Sequence, residues 1–90
     1  MDIRIDRSPS PASLAALGVR QWPTWESEVC SFAWEYDADE TCFFLEGDVV
    51  VRPEGGEPVT LGPGVLVTFP AGLKCTWEVR RPVRKHYRMG

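Results

Sequence analysis

Glu40 is the residue of this chain whose surroundings most suggest chemistry. It opens the run Glu40-Thr41-Cys42-Phe43-Phe44-Leu45-Glu46-Gly47, an apolar strand that starts on a carboxylate and ends at a glycine turn. Strand alternation sends Glu40, Cys42 and Phe44 to one face. A carboxyl among apolar side chains is disfavoured as an anion unless it is paired, and one held near its protonation point can act as a general acid or base. The other outcome is that a hydrogen bond or a basic neighbour ties Glu40 down and its role is structural. A second run, Gly64-Val65-Leu66-Val67-Thr68-Phe69-Pro70-Ala71-Gly72-Leu73-Lys74-Cys75, ends on a thiol. Beyond it Cys75, Trp77 and Val79 share a face, and Lys74 points the other way. A third run, Glu28 to Tyr36, alternates with Cys30, Phe32, Trp34 and Tyr36 on one face.

The elements that must position these residues are short strands. Ile3 and Ile5 alternate with charges and predict a first strand. Ser10 as N-cap, Pro11 at the first position and Gly18 as a left-handed stop bracket a helix of about two turns over Ala12 to Leu17. It is too short to stand alone, so Leu14 and Leu17 are expected to pack on something larger. Trp22-Pro23-Thr24-Trp25 reads as an aromatic lid or plug over a core end, with ligand stacking as the alternative role, and Pro23 denies it a regular ladder. Asp37-Ala38-Asp39 is a turn, and Glu46-Gly47-Asp48 bends the strand before Val49-Val50-Val51-Arg52 continues it. Pro53-Glu54-Gly55-Gly56-Glu57 predicts a hairpin turn, with Val59-Thr60-Leu61 pairing back. Val65 to Phe69 and Lys74 to Val79 are strands. Arg81-Pro82 is expected to break the chain before a last strand over Val83 to Tyr87. Close turns and short strands without a βαβ pattern predict an all-β sandwich or barrel with one short N-terminal helix.

Bulk properties exclude several classes. Ninety residues make one domain, residues 1–90, and 43% hydrophobic content with four Trp suffices for a core without staples. The net charge of −3 gives no general attraction to nucleic acid or to an anionic membrane. No apolar run approaches the roughly 18 residues that would span a bilayer. Met1-Asp2-Ile3-Arg4 lacks the basic-then-apolar form of a signal peptide, so a cytoplasmic location is expected. Three irregularly spaced cysteines read as thiols rather than a disulfide framework. The acids crowd between Glu26 and Glu57, and most basic residues lie between Lys74 and Arg88. That split reads either as a basic patch for an anionic ligand or as two solvated strand faces that neutralise each other across a sheet.

The two opening runs resemble the two signature segments of the cupin superfamily. The first segment of that family reads His-x-His-x3-Glu-x6-Gly, and Glu40 with Gly47 keeps its second half. The second reads Gly-x5-Pro-x-Gly-x2-His, and Gly64, Pro70 and Gly72 keep it up to Cys75, which stands at the histidine place. The resemblance covers roughly residues 30 to 80 and implies a jelly-roll barrel. Trp22-Pro23-Thr24-Trp25-Glu26, Val67-Thr68-Phe69-Pro70 and Pro82-Val83-Arg84-Lys85-His86-Tyr87 are similar to small single-domain cupins related to ureidoglycine aminohydrolase. In metal-bearing cupins three histidines and the glutamate hold a divalent ion. Here Trp34, Tyr36 and Cys75 stand at the histidine places, so the resemblance implies a chain without that metal. The alternative ligand set is Cys42, Cys75 and Glu40 around zinc. His86, the single histidine, is expected at the surface or rim.

Three functions fit these residues. The first is a binding module that holds a small, partly apolar or nitrogenous ligand among Trp34, Tyr36, Glu40, Cys42, Phe44, Cys75 and Trp77. The second is a hydrolase or isomerase with Glu40 as acid or base and Tyr36 or Cys75 as its partner, ureide hydrolysis being the version the resemblance implies. The third is a structural or interaction module whose barrel is filled by its own aromatics. An open cavity lined by Glu40 would favour the first two. A small sandwich leaves strand edges to cover, and self-association as a two-fold homodimer is expected.

Overall fold

The computed structural model describes residues 2–90 and leaves Met1 outside. Seven antiparallel strands make up the described chain: β1 Arg4–Asp6, β2 Thr24–Ser27, β3 Cys30–Glu35, β4 Glu40–Pro53, β5 Val59–Leu61, β6 Leu66–Phe69 and β7 Lys74–Met89. The helix α1 spans Pro11–Leu17, and a short 3-10 turn follows over Val19–Gln21. The result is an all-β jelly-roll barrel, as the resemblance implied, with the one short N-terminal helix that its capping residues predicted.

Two long strands build it. β4 and β7 pair along nearly their whole length, from Glu40 opposite Met89 to Pro53 opposite Cys75. The register shifts between Phe44 and Val49, and there both strands bend. Residues 40–46 and 81–89 belong to one sheet, in the order β1-β6-β4-β7-β2. Residues 49–53 and 74–79 pass into a second face, flanked by β5 and β3. Gly47 makes the bend possible. Its φ is 113°, and a Cβ there would lie 2.7 Å from the Val83 Cα, so a side chain would both strain the backbone and strike the partner strand.

The bend corrects the expected break at Arg81-Pro82. β7 runs through Pro82, whose missing N–H falls in the irregular stretch where the ladder is interrupted. A second correction concerns Trp22-Pro23-Thr24-Trp25. Trp22 and Pro23 stay out of the ladder, and β2 starts at the next residue and pairs with β7 from Thr24 opposite His86 to Ser27 opposite Val83. The helix also differs. Ser10 caps it by accepting from the Ser13 N–H, and Gly18 stops it at φ 68°, but Leu14 is only half-buried and Leu17 is exposed. Val19, one turn later, supplies the buried anchor of this segment.

The core lies between the two faces. Val49, Val51, Leu61, Val67, Phe69, Val79 and Phe44 are fully enclosed there, and close packing of such hydrocarbon is the main favourable contribution to the fold. On the outside, Arg52 and Arg80 both pair with Glu78 at 2.7 Å, and Arg84 pairs with Glu26 at 3.3 Å. Arg84–Glu26 alone of these joins the acidic and basic stretches across paired strands; Arg52–Glu78 crosses from β4 to β7, and Arg80–Glu78 lies within β7. Hydrogen bonds, first from Arg80 and then from Arg52, hold the Glu78 carboxyl below the usual range.

Candidate functional site

The site begins at the turn that carries β3 into β4. Gly72 donates its N–H to the Tyr36 carbonyl at 2.7 Å, and the Tyr36 N–H reaches the Leu73 carbonyl at 3.0 Å. The Ala71 N–H is bound by Asp39 Oδ1 at 2.8 Å. The loop before Glu40 is thus stitched to the Pro70-Ala71-Gly72 turn. That stitching fixes where Tyr36 and Glu40 enter the interior.

Tyr36 is buried and stacks on Phe69 with ring centroids 4.9 Å apart. Its hydroxyl accepts from the Trp77 indole N–H at 3.2 Å, the kind of partner a buried phenol requires. Burial pushes the Tyr36 phenol far above its ordinary range, so it stays protonated. Trp77 in turn stacks on Phe32 at 6.0 Å and meets Trp25 edge to face at 6.0 Å.

Against these rings lies a charged group that the sequence reading did not single out. Lys85, on β7, is only 5% exposed. Its Nζ donates to Glu40 Oε2 at 2.9 Å and to Cys42 Sγ at 3.2 Å. The Cys42 thiol donates to the same Oε2 at 3.0 Å. The ammonium also sits over the faces of Trp77 and Trp25, 4.6 and 5.1 Å from the ring centroids. Glu40 is therefore paired, as the structural alternative required, and the pair lies at the edge of a cavity. Burial pushes the Cys42 thiol far up, against the attraction of Lys85, and the neighbouring Glu40 charge adds to the rise. The thiol is neutral and serves as a hydrogen-bonding bridge.

The cavity has a volume of about 260 Å³. Glu40 and Lys85 form its polar end, Trp25, Phe32, Tyr36 and Trp77 its walls, and Trp34, Tyr87 and Met89 its mouth. Trp34 is 49% exposed there, standing at the rim in edge-to-face contact with Tyr36. Of the residues expected around the ligand, the structure brings Trp34, Tyr36, Glu40 and Trp77 to the cavity. Cys42 and Phe44 lie behind its wall, Phe44 stacked on Trp77 at 6.2 Å. Cys75 is buried in the core, where burial pushes its thiol up, and Cys30 is exposed. His86 is half-buried, with Nδ1 3.0 Å from the Trp22 carbonyl, and it takes no part in the cavity.

Trp25, Phe32, Lys85, Tyr87 and Met89 line the cavity and lie outside the ligand set expected from the sequence. The signal was present: strand alternation from Val83, an inward position, puts Lys85 and Tyr87 on the same face. A lysine among Arg84, His86 and Arg88 reads as solvated until that period is followed inward.

The divalent ion of metal-bearing cupins does not fit these residues. Glu40 Oε2 already accepts from an ammonium and a thiol, Cys42 is held protonated by burial, and Trp34 and Tyr36 offer no imidazole nitrogen. Among the described residues no three His, Cys, Asp or Glu side chains form a metal-ligating group, and Cys42, Cys75 and Glu40 do not come together as one.

A two-faced barrel with a cavity at one end of its interior is the arrangement that the resemblance to cupins implied. The chain matches the EutQ-like cupin domain over residues 14–87, and it belongs to that family. It is similar to a DUF861 family protein of Thermotoga maritima, with 48% identity, 99% of this chain and 100% of that one covered, and a TM-score of 0.95. It is also similar to the EutQ protein of Clostridium difficile, at 25% identity with a TM-score of 0.65, over 71% of this chain and 50% of that one. A DUF861 family protein of unknown function from Pseudomonas syringae pv. tomato is 29% identical over 71% of this chain and 28% of that one, with a TM-score of 0.65. No curated protein matches the chain.

Proposed function

We propose that this chain is a small-molecule-binding cupin that works without a bound metal. The observation that carries the reading is a cavity of about 260 Å³ that ends on a buried Glu40–Lys85 pair. That volume lies below the usual range for drug-sized ligands, roughly 300–1,000 Å³, so the occupant is a small metabolite. Aromatic walls take its apolar part. Both side-chain hydrogen bonds to Glu40 fall on Oε2, which leaves Oε1 to accept from a ligand N–H or O–H. A nitrogenous ligand with a flat apolar body suits both features.

A hydrolase or isomerase is the second reading, favoured by the same carboxylate at the cavity edge. Glu40 would move the proton, and Tyr36, held protonated, would stay a hydrogen-bonding group. Ureide hydrolysis belongs here as the version suggested by similarity to small cupins related to ureidoglycine aminohydrolase. A two-fold homodimer is part of the proposal, supported by exposed Val29, Trp34 and Met89.

The test is a titration with small amines, amides and ureides, followed by the indole signals of the four tryptophans and by product analysis. Binding is expected to move Trp25, Trp34 and Trp77, and Glu40→Gln is expected to weaken it. Turnover of any member would select the enzyme reading, and no response from any member would count against both. Light scattering that shows monomer alone would overturn the dimer.

A further inference from the structure

We propose that Lys85 is an imine-forming nucleophile and that the cavity takes small aldehydes, with Glu40 moving the protons. This deepens the pocket reading and rests on it. Lysines that react with carbonyls are desolvated in apolar pockets beside a group able to accept a proton. Lys85 meets both conditions. It lines the cavity while nearly enclosed, and its Nζ is 2.9 Å from Glu40 Oε2. The pair is weak evidence of a stability role, since a buried ion pair is often no better than hydrocarbon of the same volume.

The chemistry balances within the site. Glu40 accepts a proton from the Lys85 ammonium, and the freed lone pair attacks the carbonyl carbon. A C–N bond forms, the carbonyl π pair moves to oxygen, and Glu40 returns the proton to that oxygen to give a carbinolamine. A second proton passes by way of Glu40 from nitrogen to the hydroxyl. Water leaves as the nitrogen lone pair closes the C=N bond. An ammonium and an aldehyde become an iminium and water, with no change in charge and no oxidant or reductant. The iminium keeps its positive charge where the ammonium had it, beside Glu40 and over the faces of Trp25 and Trp77, so the surroundings stabilise product as well as reactant.

The chain has two lysines, and Lys74 is exposed on the outer face, so it serves as an internal control. The full-length protein is incubated with benzaldehyde and cyanoborohydride near neutral pH, and the alkylated residues are located by peptide mass spectrometry. Lys85 is expected to be labelled ahead of Lys74 and the N-terminal amine. Glu40→Gln is expected to slow labelling of Lys85 by about 10²-fold or more, the usual contribution of a positioned proton-transfer group, and to leave Lys74 unchanged. Label confined to Lys74 and the N-terminus of the folded wild-type protein overturns the proposal without any variant. Benzyl alcohol, which cannot form an imine, separates the two readings. If it moves the Trp25 and Trp77 signals while Lys85 stays unlabelled, the pocket stands and the imine chemistry falls. If it moves nothing and Lys85 stays unlabelled, both fall.

Discussion

Strand β4 carries two interiors along one chain. In residues 49–51 its inward side chains are Val49 and Val51, enclosed with Leu61 and Val79 in hydrocarbon. In residues 40–42 they are Glu40 and Cys42, enclosed to nearly the same depth and bound to a buried lysine. Burial is similar and the chemistry is opposite. The first half does what stability asks. The second keeps two charges out of water where apolar side chains would serve stability as well or better, and it does so beside a cavity. The contrast is what places the proposed binding site at the Glu40 end.

The comparison is sharpest in two substitutions of similar size. Phe44→Ala should destabilise the fold by about 3–5 kcal/mol through lost burial and the space left behind. Lys85→Met should cost about 3–5 kcal/mol by stranding Glu40. They differ in rescue: adding Glu40→Gln to Lys85→Met should recover most of that loss, because no charge then remains buried. Chemical denaturation of the single and double variants checks this. A double variant no more stable than Lys85→Met would mean that the pair contributes packing rather than charge compensation.

A smaller effect is expected from alkali. Burial pushes the Cys42 and Cys75 thiols above their ordinary value of 9.0 and the Tyr36 phenol above 10.0. The folded state therefore holds protons that the unfolded chain releases. That stability is fully present below about pH 9 and is lost as pH rises from there toward the folded-state values. Unfolding midpoints should be level through neutral pH and fall above it. A midpoint that rises in alkali would contradict the burial of these groups.

The thiols offer a graded test of the same enclosure. Cys30 should react quickly with a thiol reagent in the folded protein, and Cys42 and Cys75 should react only as the fold opens. Rapid labelling of Cys75 would revive it as a nucleophile. The smallest effect belongs to the outer surface. Arg52→Ala removes one exposed partner of Glu78 and should leave the unfolding midpoint within experimental error.

Much of the fold was legible because it depends on backbone chemistry that sequence displays. Ser10, Pro11 and Gly18 marked the helix, and the Gly-Gly hairpin set β5 against β4. Gly47, Gly64, Pro70 and Gly72 marked the turns that bound the two signature segments. Glu40, Tyr36, Trp34 and Trp77 could be placed at the cavity by alternation and by resemblance to cupins. What stayed hidden was set by partners distant in sequence. Lys85 lies 45 residues from Glu40, and its charge argued for solvent until its face was fixed by Val83. Trp25 was read as a plug or a stacking ring on an irregular segment because Pro23 argues against a ladder, yet the strand simply starts one residue later. The continuity of β7 through Pro82 depends on the irregular register opposite Gly47, which no local pattern in Arg81-Pro82 reveals.

The most direct test of the account is a titration of chelator-treated protein, followed by the indole N–H signals of Trp22, Trp25, Trp34 and Trp77. The account predicts that a small ligand from the amine, amide and ureide panel shifts Trp25, Trp34 and Trp77, leaves Trp22 in place, and does so without added metal. The shifts should need more ligand in Glu40→Gln, where binding is weakened. Shifts that appear only after a divalent metal is restored, or a ligand that moves Trp22 alone, would contradict it.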